Sequence, residues 1–252
     1  MITHNLFWED PYKKQASSCL ETIIQEEGLI FEKSLFYPTS GGQPCDLGII
    51  EFENFSLKVV NVKKTATGKA LIVPDFIPDN LKLGEPAKQI IDWDLRYKHM
   101  RMHTALHLLS VVIPLPVTGG QIWSAKSRLD FNMPDAISDK QIIQDKLNNL
   151  ISNDLFTEQL WITEEELEKK PELVKTMSVS PPKNSGDIRL ICIKSKKDQV
   201  DLQPCGGTHI KNTSEIGRIV IGKIEKKGKN NRRVNIHFDW QICSLDNIKK
   251  VF

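Results

Sequence analysis

Asp92-Trp-Asp-Leu-Arg-Tyr-Lys-His99-Met-Arg-Met-His103-Thr-Ala-Leu-His107-Leu-Leu-Ser-Val-Val-Ile-Pro114 separates two textures in this chain. From Leu95 the apolar residues Leu95, Met102, Leu106, Leu109 and Ile113 recur at spacings of three, four and seven, which predicts an amphipathic helix. Proline cannot extend the hydrogen-bond ladder and disfavours helical backbone just before it, so the helix ends at Pro114. His103 and His107, four residues apart, then lie one turn apart on one face.

Upstream of Asp92 the texture is that of short strands and turns. Leu29 to Tyr37 and Leu57 to Val62 are rich in β-branched and aromatic residues and predict strands. Pro38-Thr-Ser-Gly-Gly-Gln-Pro44 between them reads as a loop. Further turns are marked at Thr67-Gly68 and around Pro74, Pro78 and Pro86. Pro11 to Glu27 suits a helix with Gly28 as its stop. Together these suggest a small β-barrel or sandwich ending near Ala87.

Downstream, Ile142, Ile143, Leu147, Leu150 and Ile151 form a second helical stripe, and Thr163-Glu-Glu-Glu166 has the form of a capping box. Strands are expected over Ile188 to Lys194, Ile216 to Ile224 and Arg232 to Phe238. The expected class is α+β. Residues 1–90 form a β-rich, barrel-like domain and residues 91–252 an α+β domain.

Composition narrows the setting. The 252 residues are 40% hydrophobic, enough for a real core, and the net charge of +2 does not announce a polyanion binder. Any such partner needs a local patch. Five cysteines without framework spacing fit a reducing compartment better than a disulfide scaffold. No basic-then-apolar leader is read at Met1 to Asp10, and no apolar stretch approaches the ~20 residues of a membrane span. A soluble, cytoplasmic protein is expected.

Two short motifs carry the chemistry. The histidines of His103-Thr-Ala-Leu-His107 can reach one ion, although such a pair alone fits a core-lining role equally well. Thr104 stands where the metalloprotease motif HExxH has its glutamate, which argues against that mechanism. About a hundred residues later, Cys205-Gly-Gly-Thr-His209 repeats the spacing with two glycines that permit tight backbone angles. Alone, Cys205 could be a buried structural thiol. Together His103, His107, Cys205 and His209 offer three nitrogens and a sulfur, a tetrahedral set suited to Zn2+. His99 reads as a helix-surface residue or a competing ligand. Cys19, Cys45, Cys192 and Cys243 have no partner at ligand spacing, and His4 and His237 carry no signal.

His103-Thr-Ala-Leu-His-Leu-Leu109 and Cys205-Gly-Gly-Thr-His209 resemble the HxxxH and CxxxH motifs of alanyl-tRNA and threonyl-tRNA synthetase editing domains. Ser40-Gly-Gly-Gln-Pro-Cys-Asp-Leu-Gly48, Gly119 to Trp123, Arg128 to Phe131 and the basic Gly222 to Val234 extend the likeness to the medium-length type of the free-standing AlaX alanyl-tRNA editing proteins. The resemblance covers essentially the whole chain. It implies a zinc-binding editing domain over residues 91–252 and hydrolysis of tRNA(Ala) mischarged with serine or glycine, sparing Ala-tRNA(Ala). An apolar synthetase pocket rejects an added hydroxyl by only ~100-fold, whereas a site that hydrogen-bonds the hydroxyl discriminates by ~10⁴ or more. Thr208 or Gln121 could make that bond.

Four protein ligands close a tetrahedron, although catalytic zinc usually keeps a position open, so a non-catalytic, zinc-stabilised RNA-binding module stands as the alternative. Gly206 and Gly207 could offer N–H groups to a developing oxyanion or simply shape the turn. Gly41, Gly42 and Gln43 invite comparison with a release-factor tripeptide, with a plain glycine turn as the other reading. Lys223, Lys226, Lys227, Lys229, Arg232 and Arg233 crowd an expected hairpin with only Glu225 opposing them, a patch suited to tRNA phosphates or to water. Arg96, Lys98 and Arg101 are candidates to extend it.

Overall fold

A computed structural model describes residues 5–135, 137, 139–175 and 187–239, and shows a mixed α+β chain. It divides into two compact units, Met1–His99 and Met100–Phe252. His4 and Cys243 lie outside the described residues.

The first unit opens with helix α1 (Leu6–Glu9) and strands β1 (Gln15–Ile24), β2 (Gly28–Phe31), β3 (Gly48–Glu51), β4 (Ser56–Lys64), β5 (Ala70–Pro74) and β6 (Pro86–Ile91). The six strands close into an antiparallel barrel in the order β1-β2-β5-β4-β3-β6. Closure leaves no sheet edge unpaired. Leu29, Ile50, Leu57, Val59, Val62 and Ile72 are fully buried at its centre.

The helix expected over Pro11 to Glu27 is strand β1. Ser17, Ser18, Thr22, Ile23 and Ile24 are weak helix formers, and pairing with β6 (Gln15↔Ile90 to Cys19↔Pro86) and β2 (Leu20↔Phe31 to Ile24↔Gly28) overrides the local reading. Gly28 is no helix stop. A Cβ there would sit 2.4 Å from the Ile72 carbonyl oxygen on β5, so only glycine lets these strands meet. The strand expected through Tyr37 ends at Phe31; Glu32 N–H still bonds the Cys19 carbonyl, but Lys33, Leu35 and Tyr37 N–H turn to side chains. Leu35 N–H donates to Gln89 Oε1 (2.9 Å) and Tyr37 N–H to Asp46 Oδ2 (2.6 Å).

Helix α2 (Trp93–Val112) follows, and its Met102–Ser110 segment is buried on every face rather than on one stripe. His99 is buried as well (2% exposed), not on the helix surface. The second unit continues with β7 (Val117–Gln121), β8 (Lys126–Asn132), α3 (Lys140–Ser152), β9 (Phe156–Ile162), α4 (Glu164–Glu168), β10 (Ile188–Lys194), β11 (Gln199–Pro204), β12 (Ile219–Lys226) and β13 (Asn231–Phe238). One sheet has the order β12-β13-β8-β7 and another β11-β10-β9. The capping box at Thr163 is present, with Glu166 returning its bond. The strand expected from Ile216 starts at Ile219, since Thr213–Ile216 forms a 3-10 turn. On the edge of β12 away from β13, Asn148 of α3 bonds both N–H and C=O of Ile219, and Gln144 accepts from Ile221 N–H. Side-chain amides thus satisfy backbone groups that a neighbouring strand would otherwise pair.

Candidate metal centre

His103 and His107 project from α2, and Cys205 and His209 come from the loop that leaves β11. One nitrogen or sulfur from each of the four lies within 4.8 Å of all the others, so the group could hold a metal ion. Cys205 Sγ is 3.4 Å from His103 Nε2 and 3.2 Å from His209 Nε2. The ring centroids of His103 and His209 are 4.2 Å apart, and those of His107 and His209 4.6 Å. The three histidines are buried and Cys205 is half-buried.

Side chains outside the cluster hold each part of it. Arg189 of β10 donates from Nη1 to the carbonyls of Cys205 and Gly207, both at 2.8 Å, and from Nε to Gln159 Oε1 at 2.9 Å. Cys205 N–H donates in return to the Arg189 carbonyl at 3.0 Å, so the loop is pinned on both sides. Gly207 N–H points to Cys205 Sγ at 3.4 Å. His107 Nδ1 lies 2.9 Å from Asp201 Oδ2, and His209 Nδ1 lies 3.1 Å from Thr104 Oγ1. Lys175 pairs with the other oxygen of Asp201.

The electrostatics favour ligand forms. Burial would push the Cys205 thiol up, but the imidazoles of His103 and His209 hold it well below the ordinary thiol value. Burial, aided by His103, pushes His209 well down and keeps it neutral. A thiolate and neutral imidazoles are what a divalent ion requires. Burial disfavours the imidazolium of His107, yet its bonds to Asp201 and Cys205 prevail and raise its pKa to about 9; such a proton leaves when an ion binds. Burial likewise opposes the charge on Asp201, but His107 and Lys175 bring its pKa down to about 2.

The other expected residues fall in several places. Gly206 has no left-handed backbone, and a Cβ on it would meet no atom within 4 Å, so the turn does not demand glycine there. The N–H of Gly207 is directed at the Cys205 sulfur. Thr208 is fully buried. Gln121, on β7, accepts from Arg128 Nη2 at 3.4 Å. Gly41 and Gly42 (φ +56° and +80°) are the central pair of a tight two-residue turn closed by reciprocal Ser40 and Gln43 backbone bonds, and Gln43 is fully buried in the first unit.

On the β12–β13 hairpin, Lys223, Lys226, Lys227 and Lys229 are exposed, but Glu225 is not the only acid opposing the patch. Arg233 pairs with Asp130 of β8 at 2.8 Å, Lys227 with Glu225 at 2.8 Å, and Arg232 bonds the carbonyls of Asp135 and Pro134. Arg96 and Arg101 do not extend it. Arg96 is fully buried against Asp46, and Arg101 donates to the Ile216 carbonyl and lies over the Phe238 ring. Asp201, Gln203, Lys175 and Arg189 belong to neither ligand motif, and motif spacing does not reveal them. The alternation Asp201-Leu-Gln203-Pro-Cys205, which puts polar residues on the ligand's own strand face, is the signal that could have found the first two.

Residues 188–235 match a family model described as the threonyl and alanyl tRNA synthetase second additional domain, and residues 10–95 match one for class II (A) tRNA synthetases. An alanyl-tRNA editing protein AlaX-M of Methanosarcina barkeri is 33% identical over 241 residues, covering 92% of this chain and 98% of its own. The AlaX-M protein of Saccharolobus solfataricus is 32% identical with the same coverage. The alanine–tRNA ligase of Pyrobaculum aerophilum is 32% identical over 234 residues, 89% of this chain but 25% of the ligase. With identity of this level sustained over nearly the whole of both chains, and the four ligand candidates gathered at one point, this chain belongs to the AlaX family of alanyl-tRNA editing proteins.

Proposed function

We propose that this chain deacylates tRNA(Ala) mischarged with serine, and with glycine, and spares Ala-tRNA(Ala), using a zinc ion held by His103, His107, Cys205 and His209. The observation that carries this reading is the convergence of those four donors in a chain whose relatives are named for alanyl-tRNA editing. Three imidazoles and one thiolate are a donor set that zinc favours. When bound, such an ion supplies Lewis-acid polarisation of an oxygen.

The chain's own residues do the rest. Arg189 and the Gly207 N–H hold Cys205 in place. Thr208 or Gln121 recognises the serine hydroxyl, the Gly206-Gly207 backbone supports the developing oxyanion, and the Gly41-Gly42-Gln43 turn contacts the acceptor end of the tRNA. Lys223, Lys226 and Lys229 contact tRNA phosphates, with Lys227, Arg232 and Arg233 held in internal bonds beside them. Residues 1–90 and 91–252 act as two domains, and the free thiols suit a cytoplasmic setting.

The test is release of labelled serine or glycine from mischarged tRNA(Ala) beside Ala-tRNA(Ala), with wild type and Cys205→Ala. Rapid loss of the wrong amino acid, retention of alanine and failure of the variant are expected. Folded, zinc-loaded wild type that binds tRNA without hydrolysis would instead be a zinc-stabilised RNA-binding module.

A further inference from the structure

Asp201 is a carboxylate buried to 0% side-chain exposure, and neither metal ligation by the four donors nor tRNA contact requires it. An ionised group in such a place is costly unless each oxygen is matched. Here both are. Oδ2 faces His107 Nδ1 at 2.9 Å and Gln203 Nε2 at 2.8 Å, and Oδ1 pairs with Lys175. Gln203 is itself buried and lies within 3.5 Å of the Ser110 hydroxyl. Lys175 arrives from another segment, whose carbonyl accepts from Val117 N–H at 3.0 Å.

The geometry dictates the proton positions. An ionised carboxylate only accepts, so the bond at 2.9 Å requires a proton on His107 Nδ1. Gln203 Nε2 also lies 3.0 Å from that nitrogen, but an N–H cannot donate to a protonated nitrogen, so its hydrogen goes to Asp201. His107 is left with Nε2 as its ligand atom. A buried ion pair kept for stability alone gains little over apolar packing, whereas a carboxylate behind a metal-binding imidazole orients the ring and raises its basicity.

We propose that Asp201 is the positioning residue of the metal centre, fixing the tautomer and orientation of His107 while Lys175 and Gln203 hold its two oxygens. This rests on the reading of the four-residue cluster as a metal site. The experiment measures Zn2+ affinity of the full chain by chelator competition, and the Co2+ absorption spectrum, for wild type, Asp201→Asn, Lys175→Met and Asp130→Asn. Asp201→Asn keeps the size but loses the charge and weakens Zn2+ binding by about 10- to 100-fold, with an altered Co2+ ligand-field band at saturation. Lys175→Met shifts affinity in the same direction by less. Asp130→Asn removes a paired carboxylate outside this network and leaves the affinity at the wild-type value.

Wild type that binds one ion, with Asp201→Asn binding it equally well, overturns the proposal and leaves the metal reading standing. Wild type that binds no ion overturns both. If Asp201→Asn does not fold, Gln203→Leu replaces it, because it removes the amide that donates to Asp201 Oδ2 and leaves all four ligand candidates in place. Weaker Zn2+ binding is then expected, and wild-type affinity overturns the proposal.

Discussion

The hydroxyl of Thr104 lies 3.1 Å from His209 Nδ1 and 3.0 Å from the carbonyl oxygen of Met100, one turn back on the same helix. Its single hydrogen goes to Met100, so its oxygen accepts the Nδ1–H of His209 and leaves Nε2 facing Cys205. The residue that stands where a metalloprotease has its glutamate thus orients a ligand candidate on a distant loop.

Thr104→Val keeps the shape and removes the acceptor, leaving a buried N–H unpaired at a cost of about 1–3 kcal/mol. Zn2+ affinity should fall by about 10- to 100-fold. Thr104→Ser should restore most of both. Urea unfolding and chelator competition check the two effects separately, and an unchanged affinity in Thr104→Val would refute the orienting role.

Arg96 is the largest fully buried side chain of the first unit. Its Nε donates to Asp46 Oδ1 at 2.7 Å, Nη1 to the Pro11 carbonyl at 3.1 Å and Nη2 to the Leu35 carbonyl at 2.9 Å. Arg96→Met strands a buried carboxylate and should cost about 3–5 kcal/mol. Replacing both partners, Arg96→Met with Asp46→Leu, should recover part of that loss. Denaturant midpoints of the two variants decide it: equal midpoints would mean the pair is not the cause.

Among the hairpin cations, those already bonded within the protein should matter least for phosphate binding. Substituting Lys223, Lys226 and Lys229 together with Ala should weaken tRNA binding and lower the salt slope by about 1 for each phosphate no longer neutralised. Arg233→Ala should instead lower stability, because Asp130 loses one of its two arginine partners. Binding isotherms over a salt series would show the difference, and an unchanged slope in the triple variant would place the tRNA elsewhere.

Burial opposes the charge on Asp130, but hydrogen bonds from Arg233 and Arg128 hold its pKa below 3.8. A carboxyl depressed in the fold contributes its stability fully above the unfolded value of 3.8 and loses it as pH falls through the lower folded value. Wild type should therefore lose more Tm than Asp130→Asn between about pH 5 and about pH 2. Parallel curves would show that this pairing contributes nothing to acid stability.

Local pattern was enough for the long helix and its end before Pro114, the two motifs of ligand candidates, the capping box at Thr163 and the strands over 188–194 and 232–238. Each depends on side-chain period, proline chemistry or short spacing, which a short stretch of chain carries within itself. Gln15–Ile24 is different: it is a strand because barrel closure pairs it on both sides and overrides a weak helical signal. Arg96 and Arg101 likewise leave the surface for internal bonds, since a charge pattern cannot reveal that Asp46, 50 residues away, or the Ile216 carbonyl waits beside the helix. Folding also places Asp201 behind His107 and Thr104 behind His209, at separations of 94 and 105 residues. The ligand candidates could be read from their spacing because they come in local pairs. The groups that orient them could not, because a hydrogen bond joins whatever the fold brings together, whatever its distance along the chain.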